Sequence, residues 1–115
     1  MDDERPRRGE VWRVDLETVR GHEQGGQRPA VVVSAGTFNA GPSGLIVVCP
    51  LTTRERRIRF HVPVEPPDGG LRVRSFVLCD QIRTVSTDRL TLRLGMLQAV
   101  SLAAIEERLR ILLDL

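Results

Sequence analysis

The sequence predicts a mainly β domain that ends in one helix, folded as a strongly curved sheet or small barrel. Several short segments alternate apolar and polar residues with the two-residue period of a strand, and clusters of Gly, Pro and Asn separate them. Only the last segment has helical periodicity. The chain has no internal repeat and no alternation of strands with helices, which disfavours a nucleotide-binding α/β fold.

The first half of the chain contains three of these apolar segments. We predict strands at 12–16, 30–34 and 45–51, with a mobile surface loop at 17–27 and a connection at 35–44. In the first strand Trp12, Val14 and Leu16 alternate with polar residues, so they are expected on one face. The third strand is apolar throughout, which is typical of a central strand buried on both faces.

The second half begins with a basic stretch at 54–59, in which four residues are arginines. It leads into a strand that ends at Val64, where His61 falls in the series that alternates with the apolar residues and Pro63 indicates an edge position. We then predict a turn at 66–70, a long strand-like segment at 75–85, a strand at 90–97 and a terminal helix.

The terminal helix is predicted from a stripe of apolar residues at spacings of three, four and three. These residues are Leu102, Ile105, Leu109 and Leu112. Ser101 is the expected N-cap, and Glu106 and Arg110 are expected to pair one turn apart on the exposed side.

At 115 residues, the chain is long enough for one domain with a modest core. Residues 1–8 are charged and are expected to form a flexible tail, so the domain should span 9–115. The N-terminus lacks the apolar run of a secretory signal, and no segment reaches membrane-spanning length. We therefore expect a cytoplasmic protein that does not bind a membrane. Cys49 and Cys79 lie in apolar runs and are expected to be free and buried.

Motifs of the common enzyme classes are missing from this sequence. It contains no glycine-rich phosphate loop, no CxxC and no GxSxG, and its two histidines are far apart. Neither a metal nor a cofactor is therefore expected. All 17 cationic residues are arginines, although the formal net charge is only +2. The arginine fork binds phosphate well, while a coding bias towards arginine explains the same composition.

Two polar clusters flank the buried strands in the first half of the chain. The first contains His22, Glu23 and Gln24 and ends at Arg28, where the loop meets a strand. The second is the pair Thr52–Thr53, directly after the central strand. An arginine and a hydroxyl can bind a phosphate group. A solvated loop and a hydroxyl that caps a turn explain the same residues.

Two further clusters follow in the second half. Asp80, Gln81 and Arg83 interrupt a half-buried segment, where polar groups need partners in a β-bulge or in a ligand. The basic stretch at 54–59, which begins with Arg54, suits electrostatic steering of an anion and equally a solvated charged surface.

Motifs spread over nearly the whole chain resemble the MazF/PemK family of toxin ribonucleases. They are RGEVWRVDL at 8–16, GHEQGGQRPAVVVS at 21–34, VVCPLTT at 47–53 and SFVLCDQIRTV at 75–85, with shorter matches at 38–39, 89–90 and 94–95. Each motif alone is weak. Their order and spacing make the resemblance specific.

The resemblance implies an SH3-like barrel with a C-terminal helix, paired as a two-fold homodimer. It also implies a toxin that cuts single-stranded RNA, typically mRNA, at selected sequences without metal and that a cognate antitoxin neutralises. By motif, Arg28 and Thr52 take the catalytic positions. The residues assigned to substrate binding are His22, Glu23, Gln24, Arg54, Asp80, Gln81 and Arg83. Among them, His22 and Asp80 match catalytic candidates of one branch, which has an arginine where this chain has Leu78.

In the implied mechanism the ribose 2′-OH attacks the adjacent phosphate and leaves 2′,3′-cyclic phosphate and 5′-OH ends. Arg28 would bind the non-bridging oxygens, and Thr52 would donate a hydrogen bond. Two alternatives stay open. A CcdB-like toxin shares the barrel but inhibits DNA gyrase, although the C-terminal LRILLDL has no obvious match to that group. An RNA-binding module without activity is the other, and retention of both catalytic residues argues against it.

Overall fold

The computed structural model describes residues 5–17 and 26–115, which form seven strands and two helices joined by short turns. The strands are β1 (Glu10–Asp15), β2 (Gln27–Val32), β3 (Leu45–Thr52), β4 (His61–Val64), β5 (Ser75–Leu78), β6 (Arg83–Ser86) and β7 (Leu90–Met96). The helices are α1 (Gly36–Asn39) and α2 (Ala99–Leu113). The predicted mainly β fold with a C-terminal helix is confirmed.

The strands form one strongly curved antiparallel sheet in the order β4-β5-β3-β2-β1-β7. β3 pairs with β2 along one edge, while its other edge pairs first with β6 and then with β5. This arrangement confirms the prediction of a central strand. β4 pairs only with β5 in the described sheet, as Pro63 indicated. The strand path does not close, because β4 and β7 lie at its two ends.

Apolar clusters cover both faces of the sheet. On one face, Ile105 of α2 packs with residues from five strands, including Val11 and Leu51. On the other face, Val14, Leu16 and Trp12 pack with the even-numbered residues of β3, so the predicted first-strand face is confirmed. Because alternate residues of β3 enter opposite clusters, this strand is buried on both sides.

The segment predicted as one long strand at 75–85 is divided into two. A 3-10 turn at Cys79–Gln81 separates β5 from β6, so the β-bulge, one of the two interpretations of Asp80 and Gln81, is not formed. The turn moves the chain from the second half of β3 to its first half. As a result Val77 pairs with Leu51, whereas Arg83 pairs with Val48. These polar residues lie in a turn where the chain leaves the sheet, not in a bulge within a strand.

The start of α2 also differs from the prediction. Gln98, not Ser101, occupies the N-cap position. Asp68 supplies the missing acceptor, since its carboxylate accepts from the Gln98 backbone N–H at 2.7 Å and from the Ser101 hydroxyl at 2.5 Å. The turn that holds Asp68 is anchored against β7. At Gly70 an added Cβ would lie 1.9 Å from the Leu94 carbonyl oxygen, so only glycine fits there.

Two remaining side-chain predictions have different outcomes. Cys49 and Cys79 are free and buried, as expected. Their mutual hydrogen bond and burial raise the pKa of Cys49, so this thiol stays protonated at neutral pH. Glu106 pairs with Arg8, which belongs to the segment predicted as a tail, rather than with Arg110. The helix is thereby tied to the N-terminal segment.

Candidate functional site

Arg28 and Thr52 lie at the same end of two neighbouring strands. β2 begins one residue before Arg28 and β3 ends at Thr52, and the two antiparallel strands pair from Ala30 opposite Pro50 to Val32 opposite Val48. Arg28 is exposed and Thr52 is half-buried. The fold therefore brings the two predicted catalytic residues, which are 24 positions apart in sequence, to one strand end.

The Thr52 hydroxyl takes part in the turn that follows β3. Its oxygen accepts a hydrogen bond from the Arg54 backbone N–H at 3.2 Å. A hydroxyl has one hydrogen and two lone pairs, so this contact uses a lone pair and leaves the hydrogen for another partner. The turn-capping role considered for Thr52 is thus present. It is compatible with donation to a bound anion.

Thr52, Asp80 and Gln81 meet in one cavity of about 260 Å³. Its other lining residues are Arg56, Ile58, His61 and Leu78. Two pairings create it. Thr52 lies opposite Phe76 in β5, and His61 of β4 lies opposite Leu78, two residues before Asp80. The turn after β5 then places Asp80 and Gln81 at the cavity, next to the end of β3.

His61 is the residue of this site that the sequence pattern did not identify. Alternation assigned it to the series opposite the apolar side chains, yet its side chain is only 5% exposed. Its Nε2 lies 3.1 Å from Asp80 Oδ1, and that carboxylate is 32% exposed. The pairing of β4 with β5 decides this contact. A single strand's periodicity carries no information about that register.

The remaining predicted residues lie around this cavity or outside the described structure. Arg83 is half-buried at the start of β6, and Arg54 is exposed just after β3. Neither lines the cavity, whereas Arg56 does. The positions of His22, Glu23 and Gln24 fall outside the described residues. Their assignment to substrate binding stays a prediction.

A larger cavity of about 560 Å³ lies nearby. It is lined by Pro29 and Thr53, the neighbours of the two predicted catalytic residues, and by Arg13, Arg72 and Arg93 among others. Arg28 and Thr52 are not among its lining residues, and Arg28 does not line the smaller cavity either. Arg93 is held by Glu10 at 2.6 Å. Thr52, Asp80 and Gln81 converge on the smaller cavity instead.

Two features of the described ranges, 5–17 and 26–115, bear on other kinds of site. Within them, no group of three or more His, Cys, Asp or Glu side chains is arranged to hold a metal ion. No helix in this part of the chain is long and apolar enough to cross a membrane.

Comparison with known proteins agrees with this architecture. The family described as PemK-like, MazF-like toxin of type II toxin-antitoxin system matches residues 7–113. The chain is 40% identical over 114 residues to Endoribonuclease MazF9 of Mycobacterium tuberculosis, covering 95% of this chain and 97% of that protein.

Solved structures show the same fold. The crystal structure of MazF from Deinococcus radiodurans matches with a TM-score of 0.84 and 33% identity, over 98% of this chain and 100% of that one. A mycobacterial endoribonuclease solved with its cognate antitoxin matches with a TM-score of 0.76 and 29% identity, over 98% and 97%. The family match, the sequence relative and the similar folds therefore agree, and this chain belongs to the PemK-like, MazF-like toxins of type II toxin–antitoxin systems.

Proposed function

We propose that this chain is an endoribonuclease that cuts single-stranded RNA at selected sequences without a metal ion. The observation that carries the proposal is the position of Arg28 and Thr52 at neighbouring strand ends, with Thr52 lining a cavity that Asp80 and Gln81 also line. The naming of its relative as an endoribonuclease supports the same activity. The proposed target is mRNA, and the protein acts as the toxin of its pair.

The proposed reaction uses the nucleophile that RNA itself carries. The 2′-oxygen forms a bond to the adjacent phosphorus, and the bond from phosphorus to the 5′-oxygen breaks. The 2′-hydroxyl proton passes to solvent, and the leaving 5′-oxygen takes up a proton from solvent. The products are a 2′,3′-cyclic phosphate and a 5′-hydroxyl. The protein's task is then to align the two oxygens and to stabilise charge on the phosphorane.

Arg28 and Thr52 divide this task. The guanidinium of Arg28 acts as a positive charge and a hydrogen-bond donor to the non-bridging oxygens. Thr52 donates its hydroxyl hydrogen to a phosphoryl oxygen while the Arg54 N–H fixes its oxygen. Arg54 and Arg83 add positive charge near the strand end, and this favours approach of the RNA backbone.

The proposal extends to partners and location. Membership of the toxin family and the solved complex of a related endoribonuclease with its antitoxin support a cognate antitoxin that neutralises this chain. We also propose a homodimer in the cytoplasm. The exposed apolar side chains of Val73 and Leu92, which line the larger cavity together, support such an interface.

The test is incubation of the purified protein with a long single-stranded RNA in EDTA. The wild type should give discrete fragments with 5′-hydroxyl ends, and Arg28→Ala and Thr52→Ala should give none. Arg110→Ala and Thr37→Ala, which remove the same side chains from exposed positions on α2 and α1, are matched controls and should cut normally.

A second substrate tests the nucleophile. An oligonucleotide of the cleaved sequence with a 2′-deoxy sugar at the cut position should remain intact. Equal cutting of that oligonucleotide would overturn the mechanism. If the folded protein leaves all RNA intact but inhibits DNA gyrase, the alternative toxin activity replaces the proposed one.

A further inference from the structure

The cavity beside Thr52 is lined by both apolar and polar side chains. Ile58 and Leu78 are apolar, whereas Asp80 and Gln81 offer hydrogen-bonding groups. Its volume of about 260 Å³ lies just below the roughly 300–1,000 Å³ of pockets that hold drug-sized ligands. A single planar base is a ligand of suitable size. Single-stranded RNA is recognised mainly through such splayed bases, read along their hydrogen-bonding edges.

The carboxylate of Asp80 is held in place by His61. The ring is almost completely buried, Nε2 contacts Asp80 Oδ1, and Nδ1 is buried without a hydrogen-bond partner among the described residues. Hydrogen on Nδ1 would bury an unpaired donor and turn the Nε2 lone pair towards the carboxylate. We therefore assign the hydrogen to Nε2, from where it is donated to Asp80. Oδ1 is fixed by this bond, and Oδ2 remains as an acceptor for a ligand.

We propose that this cavity is a base-selecting subsite that takes a nucleobase with an exocyclic amino group, with Asp80 as the acceptor and His61 as the positioning residue that orients it. The inference rests on the proposed ribonuclease function, because it assigns the sequence selectivity of that same site. Asp80 is held at one oxygen by His61, and its side chain is 32% exposed and lines the cavity, which is the arrangement needed to read a donor on a ligand.

The chemistry of the bases decides which ones fit. Cytosine and adenine present an amino donor on their Watson–Crick edges, and guanine presents an amino donor beside a ring N–H. Each can donate to a carboxylate. Uracil presents one ring N–H between two carbonyl oxygens, and those oxygens repel a carboxylate that approaches the same edge. The subsite should therefore accept cytosine, adenine or guanine and reject uracil.

The experiment compares cleavage sites of the wild type and its variants on one long RNA by sequencing the fragment ends. The wild type should show one position near the cut at which uracil is disfavoured by about tenfold, the discrimination expected of one base-edge contact. Asp80→Asn presents an amide that both donates and accepts, so uracil should become acceptable at that position. Asp114→Asn removes a carboxylate at the end of α2 and should leave the preference unchanged.

Two substitutions of His61 separate positioning from folding. In His61→Gln the amide nitrogen can occupy the place of Nε2, and the base preference should be retained. In His61→Leu the donor is lost, and the preference should fall towards that of Asp80→Asn. If both variants fold and neither changes the preference, His61 has no positioning role.

Binding of fully 2′-deoxy oligonucleotides, which the proposed reaction cannot cut, separates the two proposals. Fluorescence anisotropy should show weaker binding when uracil occupies the selected position and equal binding for Asp80→Asn. RNA cleavage without any preference against uracil would overturn the subsite and leave the nuclease standing. Discrimination in binding without cleavage of RNA would keep the subsite and overturn the nuclease. Neither cleavage nor discrimination would overturn both.

Discussion

Three carboxylates of this domain can be compared directly. Glu10 is buried and receives hydrogen bonds from the Arg7 backbone, the Trp12 ring and Arg93. Asp68 is buried and receives two hydrogen bonds from the start of α2. Asp80 is a third exposed, has His61 as its described partner and faces a cavity. All three are well ordered by their neighbours, but only Asp80 keeps an accessible acceptor.

This difference distinguishes the carboxylates that maintain the fold from the carboxylate that can bind a ligand. A buried carboxylate whose acceptor sites are filled contributes to stability through the groups that it joins. A carboxylate with one fixed and one open oxygen contributes little to the fold but can read a donor. Thr52 follows the second pattern, since its oxygen is held by a turn while its hydrogen remains available. Substitutions in the two groups should therefore change different measurements.

The largest expected effect is on catalysis. Removing the charged donor Arg28 as Arg28→Ala should lower the rate of RNA cleavage by roughly 10²–10³-fold, the usual effect of losing one group that stabilises transition-state charge. Thr52→Val should lower it in the same direction, whereas Thr52→Ser keeps the hydroxyl and should retain most of the rate. Rates at saturating RNA measure these effects.

Stability gives the control for these variants. Both Arg28 and Thr52 lie at the accessible strand end, so the midpoint of urea unfolding should change little. A large loss of stability in Arg28→Ala would mean that this arginine maintains the fold, as the buried carboxylates do. The proposed division between structural and ligand-binding groups would then be wrong.

The second largest effect is expected on the free energy of unfolding of an Asp68 variant. Asp68→Ala removes the acceptor that replaces an N-cap residue for α2, and this should lower the free energy of unfolding by about 1–2 kcal/mol. Urea unfolding monitored by circular dichroism measures it. Cleavage per folded molecule should not change. Ser101→Ala leaves the Gln98 contact intact and should cost less, which shows how the two hydrogen bonds share the effect.

The sequence predicted the strands better than the contacts between them. Two-residue periodicity located β1 and β7, an unbroken apolar run located β3, and family motifs indicated Arg28 and Thr52, because all of these signals are local in the chain. The position of His61 against Asp80 depends on the register of β4 and β5. Neither a hydrophobic pattern nor a motif specifies that register.

Asp68 shows the same limit for the helix. The sequence indicated Ser101 as the N-cap because a capping side chain usually lies next to the helix in sequence. The carboxylate that accepts from the start of α2 belongs instead to Asp68, which lies 30 residues before Gln98. The break at Cys79–Gln81 was missed for a related reason. Its residues have strand-like neighbours on both sides, and only the need to pair with two parts of β3 forces the chain to turn there.

Glu10 should make the stability of the domain depend on pH. Burial alone raises its pKa, but hydrogen bonds from Arg7, Arg93 and Trp12 outweigh burial and lower the pKa below its ordinary value of 4.5. A depressed folded-state pKa gives stability that is present above the unfolded-state value and is lost as pH falls through the folded-state value. Unfolding at pH 7, 5, 4 and 3 should therefore show a loss below about pH 4.5.

Glu10→Gln isolates this contribution. The variant should be less stable than the wild type at pH 7, and the difference should shrink as the pH falls below 4.5. Glu107→Gln, at an exposed position on α2, is the matched control and should leave the wild-type profile in place. A constant difference between wild type and Glu10→Gln at every pH would mean that shape, not charge, makes Glu10 important.

The smallest effect on stability is expected at the ion pair of Arg8 and Glu106. Because this pair is exposed, it tests whether burial matters for the carboxylates that maintain the fold. Both side chains are more than a third exposed, so water and salt screen their attraction. Glu106→Gln should change the free energy of unfolding by no more than about 0.5 kcal/mol. Arg8→Ala should cost somewhat more, because Arg8 also donates to the Val33 carbonyl oxygen. Glu106→Gln could instead lower the free energy of unfolding as much as Asp68→Ala does. In that case a hydrogen-bonded carboxylate would stabilise the fold whether it is buried or exposed, and burial would not be the property that distinguishes Glu10 and Asp68.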